Sequence, residues 1–132
     1  VNVSVFDNGT SGTLENIKQW LNNPNFTFIK GDLSNPTDLT QLKHNRYETI
    51  FHLAANPEVR VSSTNPDIHF KQNIVATHNL LECLRKTSNT STLVFTSTST
   101  VYGEPARIPT LETPHLSTPS PFTEQPNLPA KS

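Results

Sequence analysis

Cysteine is almost missing: Cys83 is the only one in 132 residues. That excludes an internal disulfide framework and any thiolate metal cluster, and it fits a reducing, cytoplasmic compartment. An excess of either charge is missing too. Ten Lys and Arg stand against eleven Asp and Glu, a formal net charge of -1, so no long-range field recruits nucleic acid or an anionic membrane. No apolar run reaches the length of a bilayer span. His44, His52, His69, His78 and His115 lack paired ligand spacing, which leaves no metal site to expect. No tyrosine has a lysine four residues on, because Tyr47 is followed by Phe51 and Tyr102 by Ala106. What is present is 33% hydrophobic residues, enough for one modest core because they are concentrated ahead of Glu112.

The apolar residues have an ordered rhythm. Val1 to Phe6 is β-branched at Val1, Val3 and Val5 and stops at the turn signal Asp7-Asn8-Gly9, which predicts a strand. Leu14, Ile17 and Leu21 fall at helical spacing over Thr13 to Asn22, and Asn23-Pro24 closes that segment. Phe26 to Ile29 reads as a second strand, ended by Gly31-Asp32. Pro36 to Leu42 suits a short helix with Asn35 as N-cap and Pro36 at its first position. Thr49 to Leu53 is a third strand, Pro66 to Lys86 a long helix, and Thr92 to Phe95 a fourth strand. Alternation of this kind implies right-handed parallel connections and an α/β sheet covered on both faces. The character then changes. The last twenty residues hold Pro114, Pro119, Pro121, Pro126 and Pro129 with no apolar period, so residues 113–132 are expected to be an unstructured tail behind a domain of residues 1–112.

The candidate site residues sit at strand ends, where a parallel sheet opens its ligand crevice. Asp7 can accept hydrogen bonds from a ribose diol, although an ordinary turn aspartate explains it equally well. Asp32 can receive an amino group or act only as a cap. Ala54 and Ala55 after His52-Leu53 let backbone approach a flat ligand, or simply let a helix pack close. Thr96 to Thr100 is five consecutive hydroxyl residues, among which Thr98 stands out by position, while local side-chain to backbone bonding is the alternative. Cys83 falls on the apolar side of the long helix and is expected in the core. Each motif alone is weak, but three at successive strand ends in order are hard to assign to chance.

Taken together, Val5-Phe6-Asp7-Asn8, Gly31-Asp32-Leu33, Phe51-His52-Leu53-Ala54-Ala55, Asn65-Pro66, Asn73 to Glu82 and Val94 to Gly103 resemble the extended short-chain dehydrogenase/reductases. The branch they are most similar to is the NAD-dependent epimerase/dehydratases, in particular the UDP-glucose (UDP-galactose) 4-epimerases. The resemblance covers roughly residues 1 to 112 and implies a partial Rossmann-type parallel sheet of about four strands, in the order 3-2-1-4-5 with the first strand missing. It implies NAD as cofactor, with Asp7 and Asn8 at the adenosine ribose, Asp32 and Leu33 at the adenine, and Leu53, Ala54, Ala55 and Asn56 along the cofactor. Asn73 matches the family's helix asparagine. Thr98 matches the catalytic-site Ser/Thr that hydrogen-bonds the sugar hydroxyl being oxidised. A nucleotide-sugar substrate and a homodimer are implied for a full-length member. Related dehydratases carry an Asp-Glu pair where Ser99-Thr100 stands, which favours epimerisation. A non-catalytic nucleotide-binding module, or a decarboxylase, dehydratase or reductase of the same family, remains the alternative.

Two departures from the family pattern bear on activity. The family's Gly-x-x-Gly-x-x-Gly phosphate turn has no counterpart among the four glycines, and the sequence corresponds to a start one strand later. The Tyr-x-x-x-Lys pair has no counterpart either. Reading the codons of Pro121 to Lys131 from their third nucleotides permits Leu-Tyr-Gly-Ala-Thr-Lys-Leu-Ala-Cys-Glu, the family's catalytic segment. The expectation is therefore a frame change near Glu112 and a polypeptide that is incomplete at both ends and inactive as translated.

Overall fold

The computed structural model of the chain describes residues 1–58, 64–87, 90–98 and 109. Val1–Phe95 forms one compact unit and Thr96–Ser132 a second. The expected proline-rich tail from residue 113 lies outside the described residues, as do Ser99 to Gly103.

Strand β1 (Val3–Asp7) pairs in parallel with β2 (Phe26–Lys30), in the register Val3↔Phe26 to Asp7↔Lys30. Two backbone bonds extend the ladder past the strand ends, from Val3 N to Asn25 O at 2.8 Å and from Gly31 N to Asp7 O at 3.1 Å. Between the strands runs a 3₁₀ helix over Leu14–Trp20, where the spacing suggested an α-helix. None of its residues is buried, so no packed face stabilises the longer α form. A second 3₁₀ helix covers Asp38–Leu42. Asn35 and Pro36 precede it instead of starting it. The Asn35 side chain makes an Asx turn, accepting from Thr37 N at 3.2 Å and donating to Asp38 Oδ1 at 2.9 Å.

Strand β3 (Tyr47–His52) pairs in parallel with β4 (Thr90–Phe95), with Ile50↔Leu93 and His52↔Phe95 in register. The crossover between them is the long helix foreseen from the sequence, but it changes winding along its length. Helix α1 (Pro66–His69) has Asn65 as N-cap and Pro66 at its first turn. A π-helical turn follows over Phe70–Val75, and α2 runs through Ala76–Thr87. Arg85 and Lys86 in the last turn complement the negative end of the helix dipole.

Burial is concentrated where α2 lies on the segment after β2. Ala76, Leu80 and Cys83, spaced i, i+4, i+7, form the buried stripe of α2, and Leu39 of the second 3₁₀ helix is the other buried apolar residue among the described residues. Cys83 Sγ lies 3.7 Å from Leu39 O, and Asn79 Nδ2 donates to Leu33 O at 3.1 Å. The cysteine is therefore a core residue, as its place on the helix indicated.

The strands form two separate two-stranded sheets, β1-β2 and β3-β4, as the order 3-2-1-4-5 without its first strand implies. Coverage on both faces was also expected, yet Val3, Phe51, Val94 and Phe95 are exposed. The helical packing gathers around Leu39, Ala76, Leu80 and Cys83 and leaves these strand side chains uncovered among the described residues. The division falls between β1 and β3, where the resembled strand order sets its first, glycine-rich strand. The architecture is a partial Rossmann-type α/β fold of parallel strands.

Candidate functional site

A cleft opens at the carboxyl ends of β1, β2 and β3. Its lining combines Phe6, Asp7, Asn8, Thr10 and Ser11 with Gly31, Asp32 and Leu33, then Ala54 and Ala55, and Gln72 and Ala76 from the helix. Three strand ends and one helix thus converge on it. Of the residues singled out in the sequence, Asp7, Asn8, Asp32, Leu33, Ala54 and Ala55 all lie on this wall. Leu53, Asn56 and Asn73 do not line it. Leu53 is exposed, and the two asparagines instead bind each other behind the loop.

The loop after β1 is built by its own side chains. Gly9 takes φ of +72°, a conformation that favours glycine, and its N–H donates to Asp7 Oδ1 at 2.6 Å. Asn8 Oδ1 accepts from Thr10 N at 3.0 Å and from the Thr10 hydroxyl at 2.8 Å. These bonds orient Asp7 while leaving its Oδ2 without a partner among the described residues, as an open acceptor at the cleft edge.

Asp32 anchors the second loop. Its Oδ1 accepts from Ser34 N at 2.7 Å and its Oδ2 from Asn8 Nδ2 at 3.3 Å, so it ties together the loops that follow β1 and β2. Hydrogen bonding from Ser34, foremost from its side chain, holds the Asp32 carboxyl below the usual aspartate range; Asn8 and the charge of Lys71 add to this, and partial burial opposes it. A carboxylate has about four lone-pair positions, and the bonds from Ser34 and Asn8 leave capacity for a further donor from the cleft. Gly31 is buried directly beneath. A Cβ there would collide with the Phe6 ring, so any larger residue would force that ring to shift.

Behind the third wall, Asn73 grips Asn56. The Asn73 Oδ1 accepts from Asn56 N at 2.7 Å and its Nδ2 donates to Asn56 O at 3.3 Å. Gln72 Oε1 accepts from Asn56 Nδ2 at 2.7 Å. Backbone and side chain of Asn56 are both held by two consecutive helix residues, which places the preceding Ala54 and Ala55 on the cleft. Thr98 follows β4 in the second unit and is exposed.

Thr10, Ser11, Gln72 and Ala76 line the cleft without having been singled out from the sequence. Gln72 had a legible signal in its position beside Asn73, but neighbours in an α-helix point about 100° apart. Here both lie in the π-helical turn, and both bind Asn56. Among the described residues, no group of three His, Cys, Asp or Glu could hold a metal ion, and no helix is long and apolar enough to cross a membrane.

The chain has clear relatives. The sequence model of the GDP-mannose 4,6 dehydratase family matches residues 1–124. The bifunctional UDP-glucose 4-epimerase and UDP-xylose 4-epimerase 1 of Pisum sativum is 34% identical over 128 residues, which are 92% of this chain and 36% of that protein. Among solved structures, the UDP-Glc/GlcNAc 4-epimerase of Campylobacter jejuni superposes with a TM-score of 0.74 at 32% identity, over 87% of this chain and 35% of its own. The UDP-glucose 4-epimerase of Bifidobacterium longum, solved in complex with NAD+ and UDP, gives 0.72 at 25% identity, over 85% of this chain and 34% of its own. The chain therefore spans a little over a third of the length of these relatives.

Proposed function

Because the chain belongs to the NAD-dependent epimerase/dehydratase family, whose GDP-mannose 4,6 dehydratase model it matches, we propose that it forms the adenosine-holding part of a nucleotide-sugar epimerase of the UDP-glucose 4-epimerase kind. The observation that carries this reading is the convergence of Asp7, Asp32 and the Ala54-Ala55 pair on one cleft. Asp7 offers an open carboxylate oxygen to a ribose diol. Asp32 retains acceptor capacity for an adenine amino group. Gly31, Ala54, Ala55 and Ala76 keep the wall low enough for a flat ring. The residues present thus fit the adenosine half of NAD.

Bound NAD would supply a reversible hydride acceptor for oxidation and re-reduction of the sugar carbon. The residues of the chain do the rest by binding and orientation. Asp7 accepts hydrogen bonds from the ribose hydroxyls, and its negative charge disfavours a 2′-phosphate at the same position. Thr98 hydrogen-bonds the sugar hydroxyl from which the proton is removed. The sequence holds no Tyr-x-x-x-Lys pair, so turnover is not expected of these 132 residues by themselves. A cytoplasmic location and a homodimeric full-length enzyme belong to the same proposal.

An NMR titration of the 132-residue chain tests this reading. NAD should shift the amide resonances of Gly9, Gly31 and Asp32, and NADP should shift them less at equal concentration. Unchanged resonances at millimolar NAD, or a preference for NADP, would overturn it.

A further inference from the structure

His52 is the one buried polar side chain among the described residues, 4% exposed, and it does not line the cleft. It ends β3 with its ring 5.5 Å from that of Phe95, at an interplanar angle of 49°. Its Nε2 lies 2.9 Å from Thr77 Oγ1, and the Thr77 hydroxyl donates to the Asn73 carbonyl at 2.6 Å. A hydroxyl has one proton. With that proton directed at the carbonyl, the Thr77 oxygen accepts from the ring, so the neutral imidazole carries its hydrogen on Nε2. Burial, which pushes the His52 pKa down, agrees with a neutral ring.

The bonds share one direction. His52 donates to Thr77, and Thr77 donates to the backbone of Asn73 inside the π-helical turn. The Asn73 side chain then holds Asn56 by both its N–H and its carbonyl. Two residues before Asn56 lies Ala54, on the cleft wall. A threonine that bonds its i−4 carbonyl needs no further partner, so the bond from His52 is an additional tie between the end of β3 and the π turn.

We propose that His52 is a positioning residue for the cleft: through Thr77 it fixes the π turn that presents Asn73, and through Asn73 it fixes the Ala54-Ala55-Asn56 wall. The identity of the ligand rests on the family reading above, whereas the relay itself does not.

Amide hydrogen exchange in the full 132-residue chain tests the relay. Its reporter is the Asn56 N–H, whose partner is Asn73 Oδ1. His52→Leu fills similar space without a donor, and Thr77→Val replaces the hydroxyl by a methyl. Both should speed exchange at Asn56 by about tenfold, the effect of one lost hydrogen bond. The Val3 and Gly31 amides, bonded within the β1-β2 pair, should keep their rates. His52→Gln, with an amide donor near the Nε2 position, and Thr77→Ser should restore protection, an outcome that a space-filling role for His52 does not produce. Thr77→Val carries the test where His52→Leu fails to fold. Equal Asn56 protection in all variants, or equal loss at Asn56, Val3 and Gly31, overturns the proposal. An intact relay together with no NAD-induced shift in the parent chain would refute the ligand reading alone.

Discussion

Acidification should destabilise this protein through His52, and the direction of the effect follows from where the ring sits. An unfolded histidine takes up its proton near pH 6.5, whereas burial lowers the native His52 value below that, with no charged partner to offset it. Between the two values the unfolded chain binds more protons. Stability is therefore full above about pH 6.5 and is lost as pH falls toward the native value. The slope within that window is at most about 1.4 kcal/mol per pH unit for the one proton involved, and the loss ends once pH has fallen through the native value. The buried apolar core consists of only Leu39, Ala76, Leu80 and Cys83 among the described residues, which makes such a loss visible. In a domain of this size each 1 kcal/mol lost lowers Tm by roughly 4–8 °C. Urea unfolding followed by circular dichroism at both pH values, in parallel for the parent chain and His52→Gln, isolates the effect because the other histidines are common to both. The parent should lose its advantage over the variant at pH 5.5. A stability difference that is the same at pH 7.5 and 5.5 would refute the reasoning.

Leu80→Ala should destabilise the chain by about 2–3 kcal/mol, toward the lower end for buried leucines because so thin a core can relax into the space; chemical denaturation checks it, and a change under about 0.5 kcal/mol would show that α2 does not pack on the segment after β2. Asp7→Ala should weaken NAD by about tenfold, the share of one or two hydrogen bonds to a carboxylate, and should reduce discrimination against NADP, both read from titrations. In a full-length protein carrying this segment, Thr98→Val should lower turnover more than it weakens NAD, because the lost bond matters where charge develops on the sugar oxygen. Equal effects of Asp7→Ala and Thr98→Val on cofactor affinity would refute both assigned roles.

The amino-acid sequence by itself determined the order of strands and helices, because β-branched runs such as Val1 to Val5 and the helical spacing of apolar residues within Pro66 to Lys86 are local patterns whose period is set by backbone geometry. It also marked Asp7, Asp32 and Ala54-Ala55, since strand ends are legible from the turn residues that follow them. Tertiary structure decided the rest. Leu14, Ile17 and Leu21 have helical spacing, yet without a surface to pack on the segment winds as 3₁₀ helix. The exposure of Val3, Phe51, Val94 and Phe95 depends on which strand faces a helix reaches, a property of packing between distant segments. The bond of His52 was not legible because nothing in its neighbourhood along the chain announces Thr77, 25 residues away. Its bond exists only because the crossover helix lies against the end of β3, and long-range contacts of that kind carry no local signature.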